Sequence, residues 1–223
     1  MKEFNSFQAS RLRQRTDEAG SEVSNSGKRS SSKIVETGSA VTKALIVYGT
    51  RYGATASTSE EIAETLRREG MEVRVVNAKK ESVKDIAGYD LIIVGSGIRI
   101  NRWTSEPEKF LQQFHTELMN KKVALFVSSG GQAIAEHEGN QEKIAQGKRK
   151  YLDEKVAKYN LKPIALGLFG GIWDFNKWPW WAGKAIPSAK QALQSAGFME
   201  TKPGVYDTRD WNAIQSWAKS LVQ

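Results

Sequence analysis

An apolar run followed directly by a polar, glycine-containing turn occurs near residue 50 of this chain. Residues 45–48 are continuously apolar, as in a strand buried on both faces, and residues 56–68 have helical spacing. The turn between them contains Thr50, Gly53 and Thr55. Hydroxyl and amide donors at a helix N-terminus bind anions, and a glycine lets a ligand approach the backbone closely. The turn therefore predicts a phosphate site, although hydroxyl residues at this place also serve simply as helix N-caps.

Strand-like segments alternate with helical segments along the rest of the chain. Further strands are predicted at residues 73–76, 91–94, 123–127 and 163–169. This alternation predicts an α/β fold, a doubly wound five-stranded parallel sheet with helices on both faces. Ligands of such sheets bind beyond the carboxyl ends of the strands. Polar segments at residues 95–99 and 128–131 follow two of the strands, so we expect them to join residues 50–55 in one site.

Four local predictions concern the helices. Gly70 is predicted to end the first helix, residues 84–87 to form a short helix, Ser105 to be the N-cap of the next helix, and residues 142–159 to form one long charged helix.

Length and composition favour one folded domain with an N-terminal extension. The 223 residues are 39% hydrophobic, which is enough for one α/β core. Residues 1–41 are polar and lack a sustained apolar period, so we predict that they are disordered and that residues 42–223 form the domain. The chain has no cysteine, which excludes disulfides and zinc–thiolate sites, and no metal site is predicted. Any redox chemistry therefore depends on a bound cofactor.

The net charge of +8 favours anionic partners such as acidic lipid surfaces, nucleic acid or carboxylated substrates. A merely basic, solvated surface is the simpler alternative. Nucleic acid is not an expected partner, because no recognised reading motif accompanies the charge. No apolar run is long enough to span a bilayer and no secretory signal is recognisable, so we expect a cytoplasmic protein, with peripheral contact at the inner face of the membrane as a further option.

Residues 43–222 resemble the flavodoxin fold, and within it the menaquinone-dependent protoporphyrinogen oxidase type. The similarity lies in the Thr-Arg-Tyr-Gly-Ala-Thr turn at residues 50–55, the Gly-Ser-Gly-Ile-Arg segment at 95–99, an aromatic and basic stretch after the fifth strand, and the ending at 205–211. The first turn differs from the glycine-rich loops that bind dinucleotides or nucleoside triphosphates. The resemblance implies that FMN is the cofactor.

The same resemblance implies which residues bind FMN. The residues that would hold the phosphate through hydroxyl, backbone and guanidinium donors are Thr50, Arg51, Gly53, Ala54 and Thr55. Tyr52 lies between them and is included in the cofactor site. Those that would line the isoalloxazine are Ser96, Gly97, Ile98 and Arg99 on one side, and Ser128, Ser129, Gly130 and Gly131 on the other.

No catalytic residue follows from the sequence. His115 is expected on a helix surface, and His137 stands without metal-ligand spacing. Electron-carrier flavodoxins usually hold the flavin between two aromatic rings, whereas Arg99 lies where the first ring would fall and residues 128–131 offer none. Trp103 is the nearby alternative for stacking, and packing at the start of a helix is an equally reasonable role for it. The lack of two aromatic rings to hold the flavin argues against a low-potential single-electron carrier.

Four of the seven tryptophans lie within residues 170–184, which we call the Trp-rich segment. Trp178, Trp180 and Trp181 would suit contact with an anionic membrane, aided by Lys177 and Lys184. The same rings could form the floor of a site for a flat quinone or tetrapyrrole. Alternatively, they cover the edge of the sheet. We expect a mixture of buried and exposed rings.

The resemblance implies an FMN-dependent oxidoreductase like protoporphyrinogen oxidase, which passes electrons from a reduced small-molecule substrate, such as a tetrapyrrole, to a quinone. One alternative is a flavodoxin-like electron carrier for a redox protein. The other is a non-enzymatic interaction module with the flavodoxin fold, because fold alone does not establish function.

Overall fold

The computed structural model describes residues 41–222. Its strands are β1 (Lys43–Gly49), β2 (Glu72–Asn77), β3 (Leu91–Arg99), β4 (Arg102–Trp103), β5 (Lys122–Ser128), β6 (Ala165–Phe169), β7 (Ile172–Asp174), β8 (Glu200–Lys202) and β9 (Val205–Asp207). Five of them form a parallel sheet in the order β2-β1-β3-β5-β6, and β4 pairs antiparallel with the end of β3. The extension predicted over residues 1–41 lies outside the described residues except for Val41, and it stays a prediction.

Helices cover both faces of this sheet. They are α1 (Ala54–Arg68), α2 (Ser105–Gln113), α3 (His115–Leu118), α4 (Gly130–His137), α5 (Gln141–Lys148), α6 (Glu154–Lys158), α7 (Ile186–Ser195) and α8 (Trp211–Ser220), and a π-helical segment (Arg149–Asp153) joins α5 to α6.

Alternate residues along the central strands form two separate cores. Leu45 and Ile92 belong to the core that also contains Phe110 of α2. Ile46 belongs to the other core, which contains Ile62 of α1 and Ile214 and Ala218 of α8. Because successive strand residues point to opposite faces, a strand that is apolar throughout has to be covered on both sides. The predicted doubly wound parallel sheet is confirmed.

A second, three-stranded antiparallel sheet follows the main one in the chain, and the sequence did not predict it. Its order is β7-β9-β8, and Phe175, Leu193 and Tyr206 form a small core beside it. Strands of three residues are too short to show an alternating pattern, so periodicity could not detect them.

Of the four local helix predictions, that for Gly70 is confirmed, and the others differ from the structure wholly or in part. Gly70 has a φ of +88° and follows the end of α1, as predicted. No helix forms at residues 84–87, because the Asp85 side chain accepts a hydrogen bond from the Ala87 amide and offers the backbone a turn instead. The N-cap of α2 is Thr104, one residue before the predicted Ser105. The long helix predicted over residues 142–159 is helical but interrupted by the π-helical segment.

A partly buried carboxylate fastens α2 to α6. Glu108 Oε1 accepts hydrogen bonds from Lys155 Nζ at 2.8 Å and Lys158 Nζ at 2.7 Å. Burial of the carboxyl acts to raise its pKa, but the hydrogen bonds and positive charges of the two lysines outweigh burial and lower the pKa of Glu108 from 4.5 to about 2. The charged form of Glu108 is therefore the form that stabilises the native state.

We expect Glu108→Gln to lower the free energy of unfolding by about 1–2 kcal/mol at pH 7, between the values for exposed and buried ion pairs. A carboxyl whose pKa is lowered on folding stabilises the protein fully above pH 4.5 and loses this effect as the pH falls towards 2. Thermal melts should therefore show a difference between wild type and variant at pH 7 that narrows below pH 4.5. Glu60→Gln, at an exposed position on α1, is the control. A difference that is constant with pH would contradict this assignment.

Candidate functional site

The strand register brings three polar loops to one edge of the sheet. Gly49, at the end of β1, is the partner of Ser96 in β3, and Gly97 is the partner of Ser128 in β5. We call residues 50–55 the first loop, residues 96–99 the second loop and residues 128–131 the third loop. The prediction that residues 95–99 follow a strand was wrong, because they continue β3 to its end at Arg99. The third loop joins β5 to α4. The three predicted segments are therefore neighbours at the carboxyl ends of the parallel strands, where α/β sheets bind ligands.

The first loop ends at an open helix N-terminus. Gly53 has a φ of +97° and is the N-cap of α1, and its amide donates a hydrogen bond to Thr50 Oγ1 at 2.9 Å. No side chain caps the first-turn amides of α1. Such amides have no intrahelical partner and favour an anion. Arg51 is exposed on the same loop.

Thr55 supplies a further donor at this helix N-terminus. Its side chain is fully buried, and its hydroxyl has no hydrogen-bond partner among the described residues. A Cβ placed on Gly97 would lie 3.0 Å from Thr55 Oγ1, so the second loop approaches this hydroxyl closely. A buried hydroxyl without a partner is costly unless a ligand satisfies it. Together with the free amides, it makes a donor set that fits a phosphate.

The second loop divides its side chains between the fold and a cleft. The hydroxyl of Ser96 is buried, accepts a hydrogen bond from the Thr104 amide at 2.9 Å and donates one to the Gly97 carbonyl at 3.0 Å. Its side chain therefore connects β3 to the start of α2. Ile98 and Arg99, in contrast, line the cleft. Trp103 is buried in the core and donates to the Tyr151 carbonyl at 2.7 Å, which supports packing rather than flavin stacking.

The third loop leads into α4, a helix that the sequence did not predict. Ser129 is its N-cap, and Gly130 and Gly131 form its first turn. Two consecutive glycines disfavour a helix, which explains why it was missed. Trp173 of β7 donates from Nε1 to the Gly130 carbonyl at 2.9 Å. Ser128 is buried, and its hydroxyl has no partner among the described residues.

A cleft of about 880 Å³ opens at these loops. Predicted site residues that line it are Tyr52, Ile98, Arg99, Ser129, Gly130 and Gly131. Those that do not are Thr50, Arg51, Gly53, Ala54, Thr55, Ser96, Gly97 and Ser128. The cleft extends beyond the three loops onto α5, the π-helical segment and the Trp-rich segment. Its volume is near the upper end of the usual range for small-molecule sites.

The charged side chains of the cleft are mostly basic. Arg99, Lys143, Lys150 and Lys184 line it. Asp174 also lines it, but Lys177 Nζ lies 2.7 Å from the Asp174 carboxylate and the hydrogen bond from Lys177 lowers the pKa of this acid. The arrangement suits an organic anion.

Arg209 braces the first loop, a role that sequence reasoning did not assign. Its guanidinium donates to the Ala54 carbonyl at 3.1 Å and forms a two-pronged contact with Asp207, with Nε–Oδ1 at 2.8 Å and Nη2–Oδ2 at 2.6 Å. It also lies 4.2 Å from the centre of the Trp211 ring. Arg209 belongs to the ending at 205–211 that contributes to the resemblance. Its contact with Ala54 of α1 joins residues 155 positions apart, so no local sequence pattern reveals it.

Among residues 41–222, no group of three or more His, Asp or Glu side chains is arranged to hold a metal ion. His115 is exposed at the start of α3, as predicted, and His137 lies exposed near the end of α4.

Residues 45–192 match the family model described as a flavodoxin domain. The chain belongs to the flavodoxin family. FMN is the cofactor of this family. The match confirms the predicted membership, and the uncapped start of α1 and the unpartnered Thr55 hydroxyl fit a phosphate group such as that of FMN.

Individual proteins similar to this flavodoxin domain include a dehydrogenase and flavodoxins. It is 22% identical over 180 residues to protoporphyrinogen IX dehydrogenase [quinone] of Escherichia coli strain K12, a match that covers 81% of this chain and 94% of the relative. It is 31% identical over 87 residues to a flavodoxin of Clostridium beijerinckii, covering 38% and 63%. Its fold is similar to that of a short-chain flavodoxin associated with a bacterial microcompartment, with a TM-score of 0.51, 13% identity and coverage of 82% and 97%.

We expect Thr55→Val to weaken FMN binding about 10-fold or more, because a hydrogen bond to a charged phosphate contributes about 1.5–3 kcal/mol. Valine preserves the shape of the side chain and removes only the hydroxyl. Isothermal titration of the apoprotein with FMN measures the dissociation constant. Thr65→Val is the matched control, since its hydroxyl is also buried without a partner among the described residues but lies near the other end of α1. Equal affinity in wild type and Thr55→Val would refute the phosphate role.

Proposed function

We propose that this protein is an FMN-dependent oxidoreductase that takes electrons from a reduced, acidic organic substrate and passes them to a quinone. The observation that supports this most directly is the size and position of the cleft. It borders the second and third loops and continues along α5 and the Trp-rich segment, so it offers room for a second ligand beside the flavin. An electron carrier needs only an exposed flavin edge, whereas an oxidoreductase for small molecules needs a binding site next to it.

The residues proposed to hold FMN lie on the three loops. The hydroxyls of Thr50 and Thr55 and the first-turn amides of α1 would bind the phosphate, with Arg51 adding charge from the exposed side of the loop. The second and third loops would border the ring from β3 and β5. FMN, when bound, supplies hydride and single-electron transfer. The work of the chain is to bind, orient and shield, and we assign no residue a proton-transfer role.

The cleft itself indicates the chemistry of the substrate. Trp173, Trp178 and Trp181 present aromatic surface to it, and Arg99 and Lys150 line it as well. Aromatic rings bind flat apolar molecules, and cationic side chains bind carboxylates. This combination suits a planar molecule with acidic substituents. The Escherichia coli relative is named for protoporphyrinogen IX and quinone, which supports a tetrapyrrole substrate and a quinone acceptor as the first candidates.

We further propose that part of the Trp-rich segment contacts an anionic membrane, the source of a lipid-soluble quinone. Trp180 is 91% exposed and Trp181 is 67% exposed, and Lys184 follows them in the same short 3-10 helix (Trp180–Ala185). Trp178 was a candidate as well, but its ring packs 5.9 Å from that of Trp173 and 5.0 Å from that of Phe175, measured between ring centres. We therefore narrow the proposed contact to Trp180 and Trp181. Within the described part of the chain, no helix has the length and apolar character of a membrane span.

The purified protein should be yellow and should oxidise protoporphyrinogen anaerobically when a menaquinone analogue is supplied. Flavin absorbance establishes cofactor binding, and the appearance of porphyrin fluorescence and absorbance follows turnover, because the reduced substrate is colourless. The FMN-free protein is the control and should be inactive. Bound FMN without turnover would favour an electron carrier or a different substrate, and a protein that binds no FMN would leave only the interaction-module alternative.

The variant Trp180→Ser/Trp181→Ser should bind at least 10-fold less to vesicles that contain anionic lipid, because two interfacial rings are lost. Cosedimentation with vesicles of phosphatidylcholine and phosphatidylglycerol measures the bound fraction. Met199→Ser is the control, since Met199 is 82% exposed but lies outside the Trp-rich segment. If the double variant and wild type bind equally, the membrane proposal fails.

A further inference from the structure

Arg209 lies in the connection between β9 and α8 and contacts the first turn of α1. Its Nη1 group donates a hydrogen bond to the Ala54 carbonyl at 3.1 Å and another to the Ser57 hydroxyl. The side chain is buried, with 5% of it exposed. A cation from the C-terminal part of the chain therefore sits beside the helix start that we propose as the phosphate site.

The Ala54 carbonyl and the Thr55 amide belong to the same peptide unit. A peptide unit is planar, so a contact that fixes the direction of its carbonyl also fixes the direction of its N–H group. At the start of a helix the first N–H groups have no intrahelical partner and point away from the helix, towards an anion when one is bound. The contact from Arg209 therefore orients the Thr55 amide at the proposed phosphate site.

The same contact makes the Thr55 amide a stronger hydrogen-bond donor. A charged donor forms a stronger hydrogen bond than a neutral one, and hydrogen bonds joined through one polar group polarise one another. Thr55 also carries the buried hydroxyl that has no partner among the described residues. Arg209 thus acts on the residue that offers both an amide and a hydroxyl to an anion.

Two neighbours hold the Arg209 guanidinium in one orientation. The carboxylate of Asp207, at the end of β9, accepts hydrogen bonds from Nε at 2.8 Å and from Nη2 at 2.6 Å. The ring of Trp211, at the start of α8, has its centre 4.2 Å from the guanidinium. A planar guanidinium fixed in this way loses little conformational entropy when it donates to further groups. Arg209 is therefore a rigid support for the first turn of α1.

Attachment of α8 to α1 does not by itself require this buried cation. The two helices share a core that contains Ile62 and Ile214, and the Gln215 side chain donates a hydrogen bond to the Glu61 carboxylate at 2.7 Å. Burial of a charged group costs free energy of desolvation even when the charge is paired. A phosphate dianion at the start of α1 would offset part of the cost of burying Arg209, because opposite charges attract strongly away from water.

We infer that Arg209 is a positioning residue for the phosphate of FMN and that it makes the site prefer a phosphorylated flavin to an unphosphorylated one. It acts through the peptide unit between Ala54 and Thr55. The inference rests on the proposed function, because it concerns the phosphate site that we assign to the first loop.

The test compares FMN with riboflavin, which has the same ring and no phosphate, as ligands of the FMN-free Arg209→Met protein. Methionine keeps apolar bulk but removes the charge and the donors. Titrations followed by quenching of flavin fluorescence should give a dissociation constant for FMN that rises about 10-fold or more. The constant for riboflavin should stay within about twofold of wild type, because the contacts of the ring are unchanged.

A spectroscopic readout reports on the phosphate directly. With FMN at saturating concentration, the phosphorus NMR shift of the bound phosphate should differ between wild type and Arg209→Met. A role of Arg209 in holding the fold alone would leave this shift unchanged in the protein that folds and binds FMN.

Further variants separate positioning from loss of the fold. Arg209→Lys keeps a buried cation that can donate to the Ala54 carbonyl, and its FMN affinity should recover to within about threefold of wild type. Arg209→Met/Asp207→Asn leaves no unpaired carboxylate, so it provides the same measurement if Arg209→Met does not fold. The matched control is Arg67→Met, since Arg67 donates to the Val73 carbonyl at 3.0 Å from the other end of α1, and FMN affinity should not change.

The outcomes separate this inference from the proposed function. An unchanged dissociation constant for FMN, or an unchanged phosphorus shift, in the Arg209→Met protein overturns the inference and leaves the proposed function standing. Equal losses of FMN and riboflavin affinity also overturn it, because Arg209 would then support the domain rather than the phosphate site. A wild-type protein that binds no FMN overturns both.

Discussion

Parallel pairing of β1, β3 and β5 is the constraint on which the site depends. The central residues of these strands are apolar on both faces, and helices cover both faces of the sheet. Parallel register then requires all three to end at the same edge, where Gly49 meets Ser96 and Gly97 meets Ser128. Close approach is possible because glycine occupies the crowded positions: a Cβ on Gly95 would lie 2.2 Å from the ring of Phe126. The same packing that stabilises the core therefore brings the loops together.

The edge of the sheet that carries the loops contains several features that lower the stability of the fold. Buried hydroxyls of Thr55 and Ser128 have no partner among the described residues, and Ile100 adopts a backbone conformation that isoleucine disfavours. Violations of this kind are expected where a sequence serves a ligand as well as the fold. They agree with the proposed position of the cofactor.

Much of the fold and part of the site could be predicted because their signals are local. The five apolar strands, the alternation with helices and the hydroxyl–glycine turn at residues 50–55 are visible as patterns of neighbouring residues. The resemblance added the second and third loops as flavin neighbours. Other features depend on contacts between distant residues. The Ser96 hydroxyl accepts a hydrogen bond from the Thr104 amide, and the Trp103 side chain donates one to the Tyr151 carbonyl, 48 positions away. No local sequence pattern reveals either hydrogen bond.

By itself, the sequence determined the α/β class, the parallel sheet and the hydroxyl–glycine composition of the first loop, since periodicity and turn chemistry are properties of short segments. Only the tertiary structure decided which side chains line the cleft. It separated the exposed Trp180 and Trp181 from the packed Trp178, formed α4 from a Gly-Gly start, and placed the Tyr151 hydroxyl within hydrogen-bond distance of Asn101. The physical reason is that burial, close approach and long-range hydrogen bonds exist only after the strands have paired and the helices have packed against them.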